Sequence, residues 1–302
     1  MPPETTPVAP TIHHHLRQLI FALIAAIIVV GVVSVLYVYV PLGNRMAAVQ
    51  RVSVYEDGAL AWYSIQGDMA TKVKGPLEAS GIPTVRFSAT PLASGETPII
   101  TDSDKGSATI LALLAQDKKS MHQILNDESP KYELAARPDG RVVFAEYQEI
   151  KKNGITSGDW NLISLSSKQS GGTPIDLGPG FSSAFTSDGA LLAITPNGLT
   201  RINPDRGGYT TIIARRLVYG SAAIAPDARL VVLPNEVTHA FDVFAIAPAP
   251  AAASSYVGSI TAPGDAVSFI SPTAFLIKDN QSLTRYDVHD GKITLGATAT
   301  IK

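Results

Sequence analysis

The longest unbroken apolar stretch is residues 19–40, LIFALIAAIIVVGVVSVLYVYV, in which only Gly31 and Ser34 fall outside the apolar set. At a 1.5 Å rise this run makes a helix of about 33 Å, enough for a hydrocarbon core of about 30 Å. Arg17 closes one end, Pro41 stops the other, and Tyr37 and Tyr39 stand where an interfacial aromatic belt sits. The pattern predicts one transmembrane α-helix. A cleavable leader would have an apolar region of about 7–15 residues and a small-x-small site. Here the run is longer and Leu42-Gly43-Asn44-Arg45 follows it, so the segment reads as an uncleaved signal-anchor. Residues 1–18 then form a Pro/Thr-rich disordered tail, and residues 41–50 a juxtamembrane linker.

From residue 51 to 302 the pattern changes. Apolar runs of 4–8 residues alternate with Gly, Pro, Asp, Asn and Ser, which predicts many short strands and turns rather than helices. The clearest strands are Val142-Val143-Phe144, Leu191-Leu192-Ala193-Ile194, Leu230-Val231-Val232-Leu233 and Ala274-Phe275-Leu276-Ile277. What precedes them recurs: Arg137-Pro138-Asp139-Gly140, Thr186-Ser187-Asp188-Gly189, Ala225-Pro226-Asp227-Ala228 and, with the Asp-Gly lost, Ile270-Ser271-Pro272-Thr273. Such turns join antiparallel neighbours, because Asp caps the turn and Gly accepts a positive φ. Positions 140, 189, 228 and 273 are 49, 39 and 45 residues apart, the period of a four-stranded propeller blade.

Arg137-Pro138-Asp139-Gly140-Arg141-Val142-Val143-Phe144 resembles the "SPDG" core of WD40-like, TolB-type β-propeller repeats. The resemblance covers residues 133–302 and implies blades, but hardly a function. Weaker units near Gly58 and Gly106 extend the count to six four-stranded blades, with five or seven open because ring closure can borrow a strand from either terminus. A two-sheet β-sandwich is the alternative, and it lacks the fixed period. The expected fold is mainly β, a β-propeller over residues 51–302 preceded by one transmembrane helix.

Composition narrows the function classes. Formal net charge is -2 from 24 Lys and Arg against 26 Asp and Glu, with no long run of either sign, so nucleic acid is not an expected partner. Cysteine is absent, which excludes disulfides, thiolate catalysis and cysteine-ligated metal. His122, His239 and His289 are scattered, and no HExxH occurs. Asp102-Ser103-Asp104-Lys105-Gly106 opens like a calcium loop but places Leu113 where the closing Glu is needed, and so reads as an acidic turn. There is no GxSxG elbow, no phosphate loop and no hydrolase-sized domain after the repeats, and Gly178-Pro179-Gly180 lacks a dinucleotide context. The Ala-Pro tract at 247–255 reads as a flexible loop in the fifth blade, and Asn280-Gln281-Ser282 is a formal glycosylation sequon.

No catalytic, cofactor-binding or metal-binding residue is therefore named, and no cofactor is expected. The sequence points to a non-enzymatic docking or scaffold propeller, anchored by a single pass in a plasma or inner membrane and facing other envelope proteins. A sensor taking a small ligand or glycan in the central channel is the alternative, and a metal-dependent propeller hydrolase a further one. Homo-oligomerisation is left open. The C-terminal domain is placed on the extracytoplasmic side because long domains translocate largely regardless of flanking charge. Protease added to cells with a permeabilised outer layer should then digest residues 51–302; full protection of that segment would reverse the orientation.

Overall fold

The computed structural model describes residues 50–56, 59–74, 83–103, 109–117, 119–125, 129–152, 155–167, 173–217, 220–248 and 253–302. The expected tail, membrane helix and most of the linker lie outside these residues. Among the described residues no helix is long and apolar enough to cross a membrane. They belong to one compact unit, Val49–Lys302.

Among the described residues of this unit twenty-three strands follow one another, nearly all in antiparallel meanders. The first group is β1 (Gln50–Glu56), β2 (Ala59–Gln66) and β3 (Met69–Val73). The second is β4 (Val85–Ser88), β5 (Thr97–Asp102), β6 (Thr109–Leu114) and β7 (Met121–Leu125). The third is β8 (Lys131–Ala136), β9 (Arg141–Lys152), β10 (Ile155–Ser166) and β11 (Ile175–Pro179). The fourth is β12 (Ser182–Phe185), β13 (Leu191–Thr195), β14 (Gly198–Ile202) and β15 (Tyr209–Ala214). The fifth is β16 (Ala223–Ile224), β17 (Leu230–Asn235), β18 (Ala240–Ile246) and β19 (Ser254–Ile260). The last is β20 (Ala266–Ser271), β21 (Ala274–Lys278), β22 (Ser282–His289) and β23 (Lys292–Ile301). Groups two to five are separate four-stranded sheets, whereas the first and last fuse into one sheet of seven strands.

The second strand of each later group is apolar on both faces, and the structure shows why. Val142 and Phe144 of β9 pack against Phe87, Ile100, Leu111 and Leu113 of the second group. Val143 and Ala145, pointing the other way at the strand period of two, join Leu191, Leu192 and Ile194 of the fourth. Leu230 and Val232 of β17 pack on Phe275 and Ile277 of the last group, while Val231 and Leu233 face the fourth. Each sheet thus stands between two others. Val52, Val54 and Tyr63 of the first group meet Leu276 and Leu283 of the last, which brings the series round on itself. Blades arranged about an axis satisfy these contacts; two face-packed sheets do not.

The join is made by the end of the chain. Thr300 and Ile301 of β23 pair in parallel with Met69 and Ala70 of β3. Thr300 N donates to Asp68 O at 2.8 Å and Lys302 N to Ala70 O at 3.1 Å, while Ile301 N donates to Gln281 O at 2.8 Å in its own blade. The first blade has three strands of its own, so the expectation of four-stranded blades throughout is corrected at this one place, where the carboxy-terminal residues supply the outer edge.

The repeated turns fall between the first and second strands of their blades: residues 137–140 join β8 to β9, 186–190 join β12 to β13, and 225–229 join β16 to β17. Gly140 and Gly189 take φ of 101° and 81°, and Ala228 takes 59° at the corresponding place. Gly58 and Gly106, about which two further units are expected, lie outside the described residues, and Gly106 falls in the sequence between β5 and β6 rather than between a first and a second strand. The equivalent turn is the one containing Gly95, φ 85°, which lies between β4 and β5.

Removing Thr300, Ile301 and Lys302 deletes at least three backbone hydrogen bonds, the end of the pairing with Ser282, and the Ile301 contacts with the first and last blades. At about 1 kcal/mol per net hydrogen bond, the loss is about 3 kcal/mol. Chemical denaturation of the truncated chain should show a midpoint lowered accordingly, and an unchanged midpoint would mean that the join is dispensable.

Candidate functional site

The first strands of all six blades, β1, β4, β8, β12, β16 and β20, line one cavity of about 1230 Å³. Its wall is mixed, with aromatic rings beside hydroxyl side chains such as those of Ser53, Ser88, Ser182, Ser183 and Ser268. Trp62, Phe87, Tyr132 and Trp160 form a continuous edge-to-face series with centroid separations of 6.3, 6.0 and 4.8 Å. Phe181, Phe185 and Phe269 also line it. Both tryptophans of the chain line this cavity.

Five charged residues line it: Glu133, Arg137, Asp188, Asp227 and Arg229. Four belong to the repeated turns and so ring one mouth. Their charges are matched. The Arg137 guanidinium donates to Asp139 at 2.9 Å, to Gly189 O at 2.9 Å and to Asp205 at 3.3 Å, tying the turn of the third blade to that of the fourth. Asp188 accepts from Thr186 and pairs with Arg201, which together hold its carboxyl below the usual carboxylate range. Asp227 lies 3.9 Å from Arg229.

Glu133 is different. It lies four residues upstream of Arg137, about 13 Å inside the mouth at the rise of a strand. In the β8–β9 ladder Tyr132 faces Ala145 and Leu134 faces Phe144, so Glu133 is the extra residue of a β-bulge. It has φ 53°, a left-handed conformation that costs a side chain other than glycine about 1–2 kcal/mol. Among the described residues its carboxyl has no hydrogen-bond or ion-pair partner. Lys131, two residues away on the same strand, is fully buried with Nζ 3.8 Å from Glu146 and donating to Ser129 O. Protein surrounds Glu133 on all sides, although the cavity gives it some contact with water, and burial alone pushes its carboxyl up to about 7.

Asp242 provides the contrast. It is also buried, which pushes its carboxyl up, but Ser259, Arg215 and Asn235 donate to it at 2.8, 2.9 and 2.9 Å. These bonds outweigh burial and hold it below the usual range. Asp242 is a satisfied structural carboxylate; Glu133 is not. The cavity wall holds a second orphan, Trp62 Nε1, a buried donor with no partner. It is sealed from the cavity space and offers a ligand no direct contact.

Nothing in the local sequence around Glu133 marks it as a site residue. The signal lay in the repeats: counted back from the turn position, Glu133 corresponds to Ser182, Ser221 and Ala266, which makes it the single charged residue among the four blades that carry the clearest repeat. The three histidines are not brought together. His122 is exposed on β7, 3.7 Å from Glu96; His239 lies in the β17–β18 turn; His289 ends β22. Asp102, from the supposed calcium loop, is bound by Arg86 at 2.6 and 2.9 Å. Among the described residues no group of three or more His, Asp or Glu is placed to hold a metal ion. A carboxyl that titrates near neutrality inside a cavity can exchange a proton with a bound molecule or, once ionised, hold a cation.

No family model matches the chain, and no curated protein matches it. Solved structures do. The nidogen/laminin complex aligns with a TM-score of 0.50 at 10% identity, over 83% of this chain and 93% of that one. Puromycin hydrolase aligns with a TM-score of 0.50 at 12% identity, over 84% of this chain and 46% of that one. TolB from Acinetobacter baumannii aligns at 0.49 and 12% identity, over 86% and 68%. The chain is a β-propeller.

At these identities the likeness is one of fold. It nonetheless corrects one expectation. The sequence was read as non-enzymatic, whereas the structures that share its fold include an enzyme, puromycin hydrolase. The fold gives no ground for excluding catalysis.

The raised carboxyl makes a stability prediction. Unfolded, Glu133 titrates near 4.5; folded, near 7. Between these values the folded propeller keeps a proton that the unfolded chain has lost. Stability therefore falls as pH rises through this window and levels off above 7. At about 1.4 kcal/mol per unit, the cost approaches about 3 kcal/mol, an upper value because cavity water screens the charge. Glu133→Gln should match the native chain at pH 4, exceed its stability at pH 8 by up to that amount, and flatten the curve between. Parallel curves for the two proteins, measured by denaturation, would contradict this account.

Proposed function

We propose that the central cavity is the working site of this propeller and that it takes a small organic molecule. The observation that carries this reading is the half-buried, strained and unpartnered Glu133 on the wall of an aromatic-lined cavity. An unpaired buried carboxylate is costly and a charged residue at a left-handed bulge adds to the cost, so the pair of features is best explained by a role at the site. The cavity is also as large as sites for drug-sized ligands.

On this reading the anchor at residues 19–40 holds the propeller at the extracytoplasmic face of a plasma or inner membrane, where the mouth ringed by Arg137, Asp188 and Arg229 meets its ligand. A docking role stands as a second reading. It is supported by the β9–β10 hairpin, whose pairing with Glu146↔Asn161 continues to Lys152↔Ile155, beyond the residues that β8 and β11 cover. The fold is used in a protein complex by nidogen, which was solved with laminin.

Because Trp62 and Trp160 are the two tryptophans and both line the cavity, their emission reports on its contents. A panel of small aromatic and aliphatic compounds, titrated into the detergent-solubilised full chain, should yield ligands that change this emission and saturate. Ser183→Phe, which adds bulk to the cavity wall from β12, should weaken those ligands at least tenfold. Binding that ignores Ser183→Phe, or no binding across the panel, would move the function to the surface loops and the hairpin.

A further inference from the structure

We propose that the cavity selects an organic cation, an ammonium group carried on an apolar or aromatic body, with the ammonium on the Glu133 carboxylate and the body against Phe87, Tyr132 and Trp160. The proposal rests on the reading of the cavity as a ligand site and gives that ligand a chemical class.

Charge bookkeeping leads to the class. Of the charged residues on the wall, those at the mouth already have partners in the protein: Arg137 in Asp139 and Asp205, Asp188 in Arg201, Asp227 in Arg229. Glu133 alone has none among the described residues. A ligand cation supplies the missing charge, and in a low-dielectric site that pairing is stronger than in water. An anion meets the same carboxylate with repulsion. A neutral polyol could bond to wall hydroxyls such as those of Ser88, Ser182 and Ser183, but it would leave the charge of the carboxylate unmatched. The aromatic rings of the wall suit a cation in a second way, since their π faces attract an ammonium placed over them.

Among the described residues, charged groups on the elements packed against β8 have partners of their own, and on β9 Arg141 pairs with Asp205 at 2.8 Å. On β8 itself Lys131 is tied to Glu146 of β9, and on β4 Arg86 is tied to Asp102 of β5. The β12 segment Ser182–Phe185 and the β6 segment Thr109–Leu114 carry no charge. Among the described residues no protein cation is therefore placed to neutralise the carboxylate as it ionises, and its protonation follows its own titration near 7.

The test uses three compounds with one body: 2-phenylethylammonium, the neutral 2-phenylethanol and the anion phenylacetate. Each is titrated into the full-length chain in a non-ionic detergent, with tryptophan emission as readout. At pH 8 the ammonium should bind at least tenfold more tightly than the alcohol, and phenylacetate more weakly than either. Glu133→Gln, which keeps the shape of the side chain and removes its charge, should bring the ammonium down to the level of the alcohol and leave the alcohol unchanged. Ammonium affinity of the native chain should rise about tenfold from pH 6 to pH 8 as the carboxylate forms, and stay flat in Glu133→Gln. If ammonium and alcohol bind equally and Glu133→Gln alters neither, the cation class is wrong while the cavity remains a ligand site. If none of the three binds the native chain, both the class and the cavity reading fall.

Discussion

Each full blade of this chain is apolar on both faces, and the rest of the structure depends on that. A sheet with Val142 and Phe144 on one side and Val143 and Ala145 on the other cannot be buried by one partner. It needs two, and so does each neighbour. A closed ring meets the demand without leaving an apolar face in water. Closure then requires the first and last blades to meet, which they do through Val54 and Leu276 in the core and through Thr300 and Ile301 at the β3 edge. A ring of blades that converge by their first strands encloses space at its axis. The central cavity is a consequence of how the apolar faces are covered.

Once a cavity exists, a group placed on its wall is held by the whole ring. Glu133 illustrates this. Neither its left-handed backbone nor its unpaired carboxyl would persist on a strand that was free to relax. Here Lys131, two residues before it, is fixed by Glu146, and Arg137, four residues after it, is fixed by Asp139, Asp205 and the carbonyl of Gly189. The strand is clamped at both ends, and the bulge between the clamps keeps the carboxyl on the cavity wall. Asp242 shows that the same chain satisfies a buried carboxylate where no cavity is involved.

The architecture was largely legible in the sequence and the site was not. The turns at Gly140, Gly189 and Ala228 announced themselves because a positive φ demands particular residues, and the strands after them because both faces are buried. The Asp104-Lys105-Gly106 signature misled because it falls in the sequence between a second and a third strand, β5 and β6. The true equivalent, around Gly95, carries Thr90-Pro91-Leu92-Ala93-Ser94 instead of the Pro-Asp-Gly signature. The short outer contribution of residues 300–302 to the first blade had no pattern of its own, since parallel pairing over two residues leaves no periodicity. Glu133 escaped for a related reason. A lone acid in a short strand ordinarily faces water, and its place on the axis became visible only when the six first strands were brought together. The histidines, which drew attention as residue types, were dispersed by the same topology to separate blades.

The central claim is that one glutamate in this propeller is held largely protonated near neutrality by its place on the cavity wall. Carbon-13 NMR of the chain labelled at the glutamate side-chain carboxyls tests it most directly. The account predicts one resonance that titrates near 7 and vanishes in Glu133→Gln. If every glutamate titrates near its ordinary value of 4.5 and the substitution removes one of those, the carboxyl is solvated or paired, and the site argued from it is lost.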